Sequence, residues 1–140
     1  MLFAACTSSS PTPTGTTCAD PDPVTGTTTL TYDNFGQQFM ETYCTNCHSS
    51  DLTHAQRNGA PIYHDFDTLE GVLEVPDHID EQTGIGPKAS NHFMPGDGTN
   101  GRCPSMKGGS LDEACPEPTD EERTQLAQWI ACEVQRPHTF

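Results

Sequence analysis

The chain is short of positive charge. Lysine and arginine supply 6 of its 140 residues, aspartate and glutamate 20, and the formal net charge is −14. A nucleic-acid binder needs a basic face to neutralise phosphates, so that class is excluded. An acidic surface favours solubility and draws basic partners toward it. Apolar residues are scarce as well, at 32%. Even with the glycines counted, the chain stays below the roughly 45–50% of ordinary globular domains. Mean hydropathy is −0.61. No apolar run approaches the roughly 20 residues that cross a bilayer as a helix. There is no alternating pattern strong enough to predict a strand, and no internal repeat. The length suits one domain. With so little to bury, such a domain gains from disulfides, a metal or a cofactor at its centre.

Cysteine, in contrast, is dense: seven in the chain. That density points to an oxidising compartment unless most of the thiols bind metal, and the odd count asks for an explanation. Met1-Leu2-Phe3-Ala4-Ala5-Cys6 reads as the tail of a bacterial lipoprotein signal, with Cys6 as the lipidated residue. A leucine is usual where Phe3 stands, and no charged or long apolar stretch precedes it. Residues 7 to 29 are rich in Thr, Ser, Pro and Gly and bury too little to offset their conformational entropy. Residues 1–29 are therefore expected to be a signal remnant and a disordered tether to a membrane, with Cys18 tied down. Residues 30–136 form the domain, and 137–140 a short tail.

Helical spacing begins at Tyr32 and continues through Phe35, Phe39, Met40 and Tyr43, with Thr31 or Asp33 to cap it. A second helix is predicted within Phe66 to Ile79, interrupted at Pro76. Residues 80 to 117 are Gly/Pro-rich and are expected to be loop. The last helix is the clearest. Thr119 and Glu122 form a capping box, and Asp120, Glu121 and Glu122 suit the positive end of its dipole. Leu126, Trp129, Ile130 and Val134 make an apolar stripe before Pro137 ends it.

The first helix runs into Cys44-Thr45-Asn46-Cys47-His48. C-x-x-C-H is the signature of covalent haem attachment. Each thiol can form a thioether with one haem vinyl group, and the adjacent imidazole then reaches the iron. Zinc would need four tetrahedral ligands, and Cys47 and His48 are awkwardly adjacent for one ion. A redox dithiol of the thioredoxin kind expects a βαβ surrounding, which the pattern lacks. A chance C-x-x-C-H within a disulfide framework is the remaining alternative.

With these residues in view, the sequence resembles a small monohaem cytochrome c of the all-helical family over about residues 30 to 136. The wording "FMETYCTNCHSS … GAP … HFMP … LAQWIAC" is similar to that of short secreted cytochrome c lipoproteins of bacteria. The resemblance implies an all-α fold of three to four helices around one covalently bound haem c. It implies that Gly36 lets the terminal helices cross closely against Trp129. It implies that the Pro61 carbonyl accepts a hydrogen bond from the other ring nitrogen of His48, fixing the imidazole. It implies that the sixth ligand is Met94, which precedes Pro95 in a loop before the last helix; a thioether there raises the reduction potential. His92 is the main rival as that ligand, Met106 a lesser one, and an open sixth site a third possibility. His54, His64, His78 and His138 are expected as surface or loop histidines rather than ligands.

With Cys44, Cys47 and Cys6 set aside, four cysteines remain, and they allow three pairings. Cys103 and Cys115 bracket a Gly-rich loop and are expected to pair, which leaves Cys18 for Cys132. No nucleophile–base pair or pair of acids suggests catalysis. The expected function is single-electron transfer at the cell envelope, by a monomer with redox partners that dock through a basic face. Two alternatives stand beside it: a gas sensor or peroxidase-like enzyme with an open sixth site, and a haem-free, disulfide-framed interaction module.

Overall fold

A computed structural model describes residues 12–19, 29–96 and 101–140. The position of Cys6, and with it the proposed lipid anchor, lies outside the described residues.

Thr31 opens the first helical segment through a reciprocal cap with Asn34. One π-turn, Tyr32–Gly36, leads directly into α1, Gln37–Tyr43. Threonine 68 caps α2, Leu69–Glu74. Pro76 separates it from α3, Pro76–Thr83, by standing at the first turn, where its missing N–H costs nothing. Thr119 and Glu122 form the predicted capping box of α4, Asp120–Glu133.

These helices enclose one apolar cluster of Phe39, Met40, Phe66, Val72, Ile79, Leu126, Trp129 and Ile130. Trp129 is fully buried and sits against Gly36. A Cβ on Gly36 would lie 2.3 Å from the indole ring, so only glycine permits this approach. The indole N–H donates to Glu133 Oε2 at 2.7 Å, and Arg136 neutralises that carboxylate at 2.6 Å. Val134, expected on the buried stripe, is exposed.

The all-α expectation is corrected. Residues 101–115 contain an antiparallel hairpin, β1 (Arg102–Pro104) and β2 (Leu111–Ala114), with a register shift between Cys103 and Pro104. No apolar alternation announces it, because β2 is almost wholly exposed. What holds it is the Cys103–Cys115 disulfide, the Arg102 guanidinium on the Asp112 carbonyl at 2.6 Å, and the Asp112 carboxylate on Ser105. The loop expected over 80 to 117 is further reduced by α3, which reaches Thr83, and by a bridge between Ile85 and Ser90.

The disordered tether is corrected over its described part. Thr12, Thr14 and Thr16 are buried. The Thr14 N–H and hydroxyl donate to the Asp80 carboxylate at 2.8 and 3.0 Å, and Lys88 N–H donates to the Thr14 carbonyl at 2.8 Å. A polar segment can pack when a buried carboxylate takes up its donors. Burial nonetheless pushes the Asp80 carboxyl above its ordinary value. Cys18 is bonded to Cys132 on α4. Both disulfides match the expected pairing.

Candidate functional site

A cavity of about 500 Å³ opens between α1, α3, the hairpin and two loops. That is within the range of pockets that hold a cofactor-sized ligand.

The C-x-x-C-H stretch hangs from the end of α1. Cys44 N–H and Thr45 N–H still reach the Met40 carbonyl, at 2.8 and 3.0 Å, and His48 N–H then turns back to the Cys44 carbonyl at 2.9 Å. This turn brings Cys44, Cys47 and His48 to one cavity wall. Cys44 and Cys47 are the free cysteines among the described residues. Desolvation pushes the Cys44 thiol up to about 12 and also raises that of Cys47. Both are therefore neutral thiols near pH 7, unlike the low-pKa thiolates that redox dithiols and metal sites use.

His48 stacks on Phe66, with ring centres 4.6 Å apart and planes 16° from parallel. Its Nδ1 lies 3.2 Å from the His64 carbonyl. A carbonyl can only accept, so Nδ1 carries the hydrogen and Nε2 keeps its lone pair. Burial, chiefly, lowers the His48 pKa to about 4, so the ring is neutral at physiological pH. The carbonyl facing His48 is thus that of His64, and the expectation for Pro61 is corrected. Pro61 lines the cavity, but its own carbonyl accepts from Arg57 Nη2 at 2.7 Å. The chain reverses between Pro61 and His64, with Tyr63 at φ +74°, which presents the later carbonyl instead.

Met94 lines the same cavity from the loop between α3 and β1. His92 does not: it is exposed and pairs with Asp120 at 2.8 Å. Met106 is also exposed. His64, in a loop, and His78, exposed on α3, both line the cavity with their rings 5.3 Å apart.

Two buried arginines were not expected at all. Arg57 is 3% exposed and Arg123 fully buried, in a chain with 6 basic residues. Arg57 reaches the Ser49, Pro61 and His64 carbonyls at 2.7, 2.7 and 2.9 Å and the Asp65 carboxylate at 2.6 Å. Arg123 Nη1 reaches the Thr83, Asn91 and Met94 carbonyls at 3.2, 3.2 and 2.7 Å, and its Nη2 reaches Glu117 at 2.7 Å. Its Nε has no partner among the described residues. The hairpin closes the site by bonding to the loop that carries the motif. Asn46 Nδ2 donates to the Pro104 carbonyl at 3.2 Å, Gly108 N–H to the Asn46 carbonyl at 3.2 Å, and Asn58 Nδ2 to the Gly109 carbonyl at 3.0 Å.

Among the described residues, no three His, Cys, Asp or Glu side chains are grouped to hold a metal ion by themselves. No described helix is long and apolar enough to cross a membrane. Compared with protein-family models, curated proteins and solved structures, the chain matches none.

Proposed function

We propose that the protein carries single electrons through one covalently held haem c, which His48 and Met94 would ligate. The observation that supports this is the content of one cavity: two unpaired neutral thiols, an imidazole with a free Nε2 lone pair, and a methionine from a different loop. This donor set fits haem c better than zinc or a dithiol. A side-chain metal site would need more ligands than the described residues gather. A redox dithiol would need a lowered thiol pKa, whereas both are raised.

When bound, the haem supplies an iron that alternates between ferrous and ferric and so takes up or releases one electron. Cys44 and Cys47 would hold it, each free thiol adding across one vinyl group to give a thioether with no leaving group. His48 would supply its Nε2 lone pair as a ligand, and the Nδ1–H contact with the His64 carbonyl keeps the ring in the required tautomer. Met94 offers a thioether, which favours the ferrous state and raises the potential. Asn46 and Asn58 hold the hairpin at the cavity through the Pro104 and Gly109 carbonyls.

A place in an oxidising cell envelope is part of the proposal, supported by the two disulfides. So are a lipid anchor at Cys6, a monomeric state, and a redox partner with a basic docking face, which suits the net charge of −14. The test is intact mass after export to a periplasm with haem-ligation machinery. The proposal expects a gain of one haem that survives acid–acetone extraction and is lost in Cys44→Ala/Cys47→Ala. A colourless wild-type protein of unmodified mass contradicts it. Electron transfer to a basic partner should slow as salt rises; rates independent of salt remove the docking face.

A further inference from the structure

The His64 carbonyl has two donors. His48 Nδ1 approaches it at 3.2 Å and Arg57 Nη2 at 2.9 Å. The guanidinium is the shorter and charged partner, so it holds the larger share of that oxygen. We propose that Arg57 is a positioning residue for His48. By drawing on the shared carbonyl it limits how strongly the ring N–H is hydrogen-bonded, and so sets the reduction potential of the group that His48 ligates. The inference rests on the haem reading above.

The geometry of Arg57 argues for a dedicated role. All five of its N–H donors are engaged: Nη1 on Ser49 O and Asp65 Oδ1, Nη2 on Pro61 O and His64 O, and Nε on Ala60 O at 3.4 Å. Those acceptors run along the chain from the residue after His48 to the residue before Phe66, on which the ring stacks. A lysine carries its donors on one point and cannot span them. A stronger ring hydrogen bond gives imidazole more imidazolate character and favours ferric iron. Release of the His64 carbonyl from Arg57 should therefore lower the potential, and loss of the arginine's charge acts in the same direction. Arg123 supplies an internal control, because it grips the Met94 carbonyl and, among the described residues, its side chain hydrogen-bonds only Thr83, Asn91, Met94 and Glu117.

The test uses the full chain, loaded in a periplasm with haem-ligation machinery. Wild type is checked first for covalent haem; failure there overturns the proposed function and not the Arg57 contact. In loaded protein, Arg57→Gln should shift the potential downward and move the His48 Nδ1–H resonance of the reduced form downfield. Arg57→Lys should do both to a smaller extent. The far-red band of Met94 ligation should persist in both. Arg123→Gln should weaken that band and leave the His48 resonance in place. Folded Arg57 variants with the wild-type potential and resonance overturn the inference. So does an equal response of both signals to both arginines, which would mean general loosening. Where an Arg57 variant does not fold, wild type decides. Arg57 Nη protons and the His48 Nδ1 proton should both exchange slowly with solvent, and fast exchange at Arg57 contradicts the shared contact.

Discussion

The two walls of the cavity use the same device at different depths. On one wall, Arg57 fixes the loop around His48, and the His48 side chain is itself locked by Phe66 and the His64 carbonyl. On the other, Arg123 fixes the backbone of Met94 through its carbonyl. The counter-charges differ as well. Asp65 is 30% exposed, whereas Glu117, the partner of Arg123, is 57% exposed. A charge-assisted contact weakens with exposure. One wall is thus set to the level of a ring nitrogen and the other to the level of the chain. A buried arginine is a costly way to hold a loop unless every carbonyl it faces is used. The cost suits a site whose two sides must not drift.

Removing a side chain from either wall shows how far the two differ. His48→Ala should have the largest effect, with loading and thermal stability both lost, because the ring also packs the loop. Met94→Ala should retain covalent haem and a folded protein, but lose the far-red band and become high-spin. Equal damage from the two would show that the walls are equivalent.

Next in size is Gly36→Ala. The new methyl group would meet the Trp129 indole at 2.3 Å, and α1 would have to move from α4. Overpacking of this kind costs about 3 kcal/mol. A melting curve should show it, and the shift should carry both walls, since α1 bears the motif and α4 bears Arg123.

Loss of the hairpin bridge sharpens the contrast. Cys103→Ser/Cys115→Ser opens a loop of sequence separation 12 and should cost about 3 kcal/mol in the loop-entropy picture. Asn46 and Asn58 still tie the hairpin to the His48 wall, so added small ligands such as carbon monoxide should replace Met94 faster while His48 stays bound. An unchanged replacement rate would detach the hairpin from the Met94 wall.

The smallest effect is one of pH. Glu122 accepts from the Thr119 N–H, and also from Tyr43 Oη at 3.0 Å, which joins α4 to the end of α1. These contacts hold its carboxyl below the ordinary 4.5. The unfolded chain therefore binds the proton more readily. The stabilisation is complete above about pH 4.5 and is lost as pH falls through the lower folded-state value. Thermal unfolding of Glu122→Gln should be less sensitive to acid than wild type between pH 6 and 3. Parallel acid limbs would remove Glu122 from the account.

How much of this was legible in sequence depends on which interactions carry each part. The Thr119–Glu122 box and the helix it starts were legible, because capping is local and chemically specific. The two disulfides were legible once Cys103 and Cys115 were seen to bracket a Gly-rich loop, which left Cys18 for Cys132. The hairpin was not legible. Strands of three and four residues, held by a disulfide and by Asp112, carry no apolar period. The packed Thr12–Thr16 segment was hidden because its partner, Asp80, is 66 residues from Thr14. Cys44, Cys47, His48 and Met94, singled out in the sequence by residue type and spacing, line one cavity. His64 was not legible, because its contribution is a backbone carbonyl that any residue could supply. Arg123 did leave a signal: it stands three residues before Leu126 and seven before Ile130, on the buried face of α4. A charge on an apolar stripe marks a buried partner set, and that rule would have found it.

The proposal turns on a haem that His48 and Met94 would both ligate. Its most direct measurement is the absorption spectrum of the loaded chain, oxidised and dithionite-reduced, for wild type beside Met94→Ala. The account predicts sharp low-spin bands that survive acid–acetone extraction, with a far-red band in oxidised wild type that Met94→Ala abolishes. A far-red band that persists in Met94→Ala, or a wild-type protein with no haem bands, would contradict it.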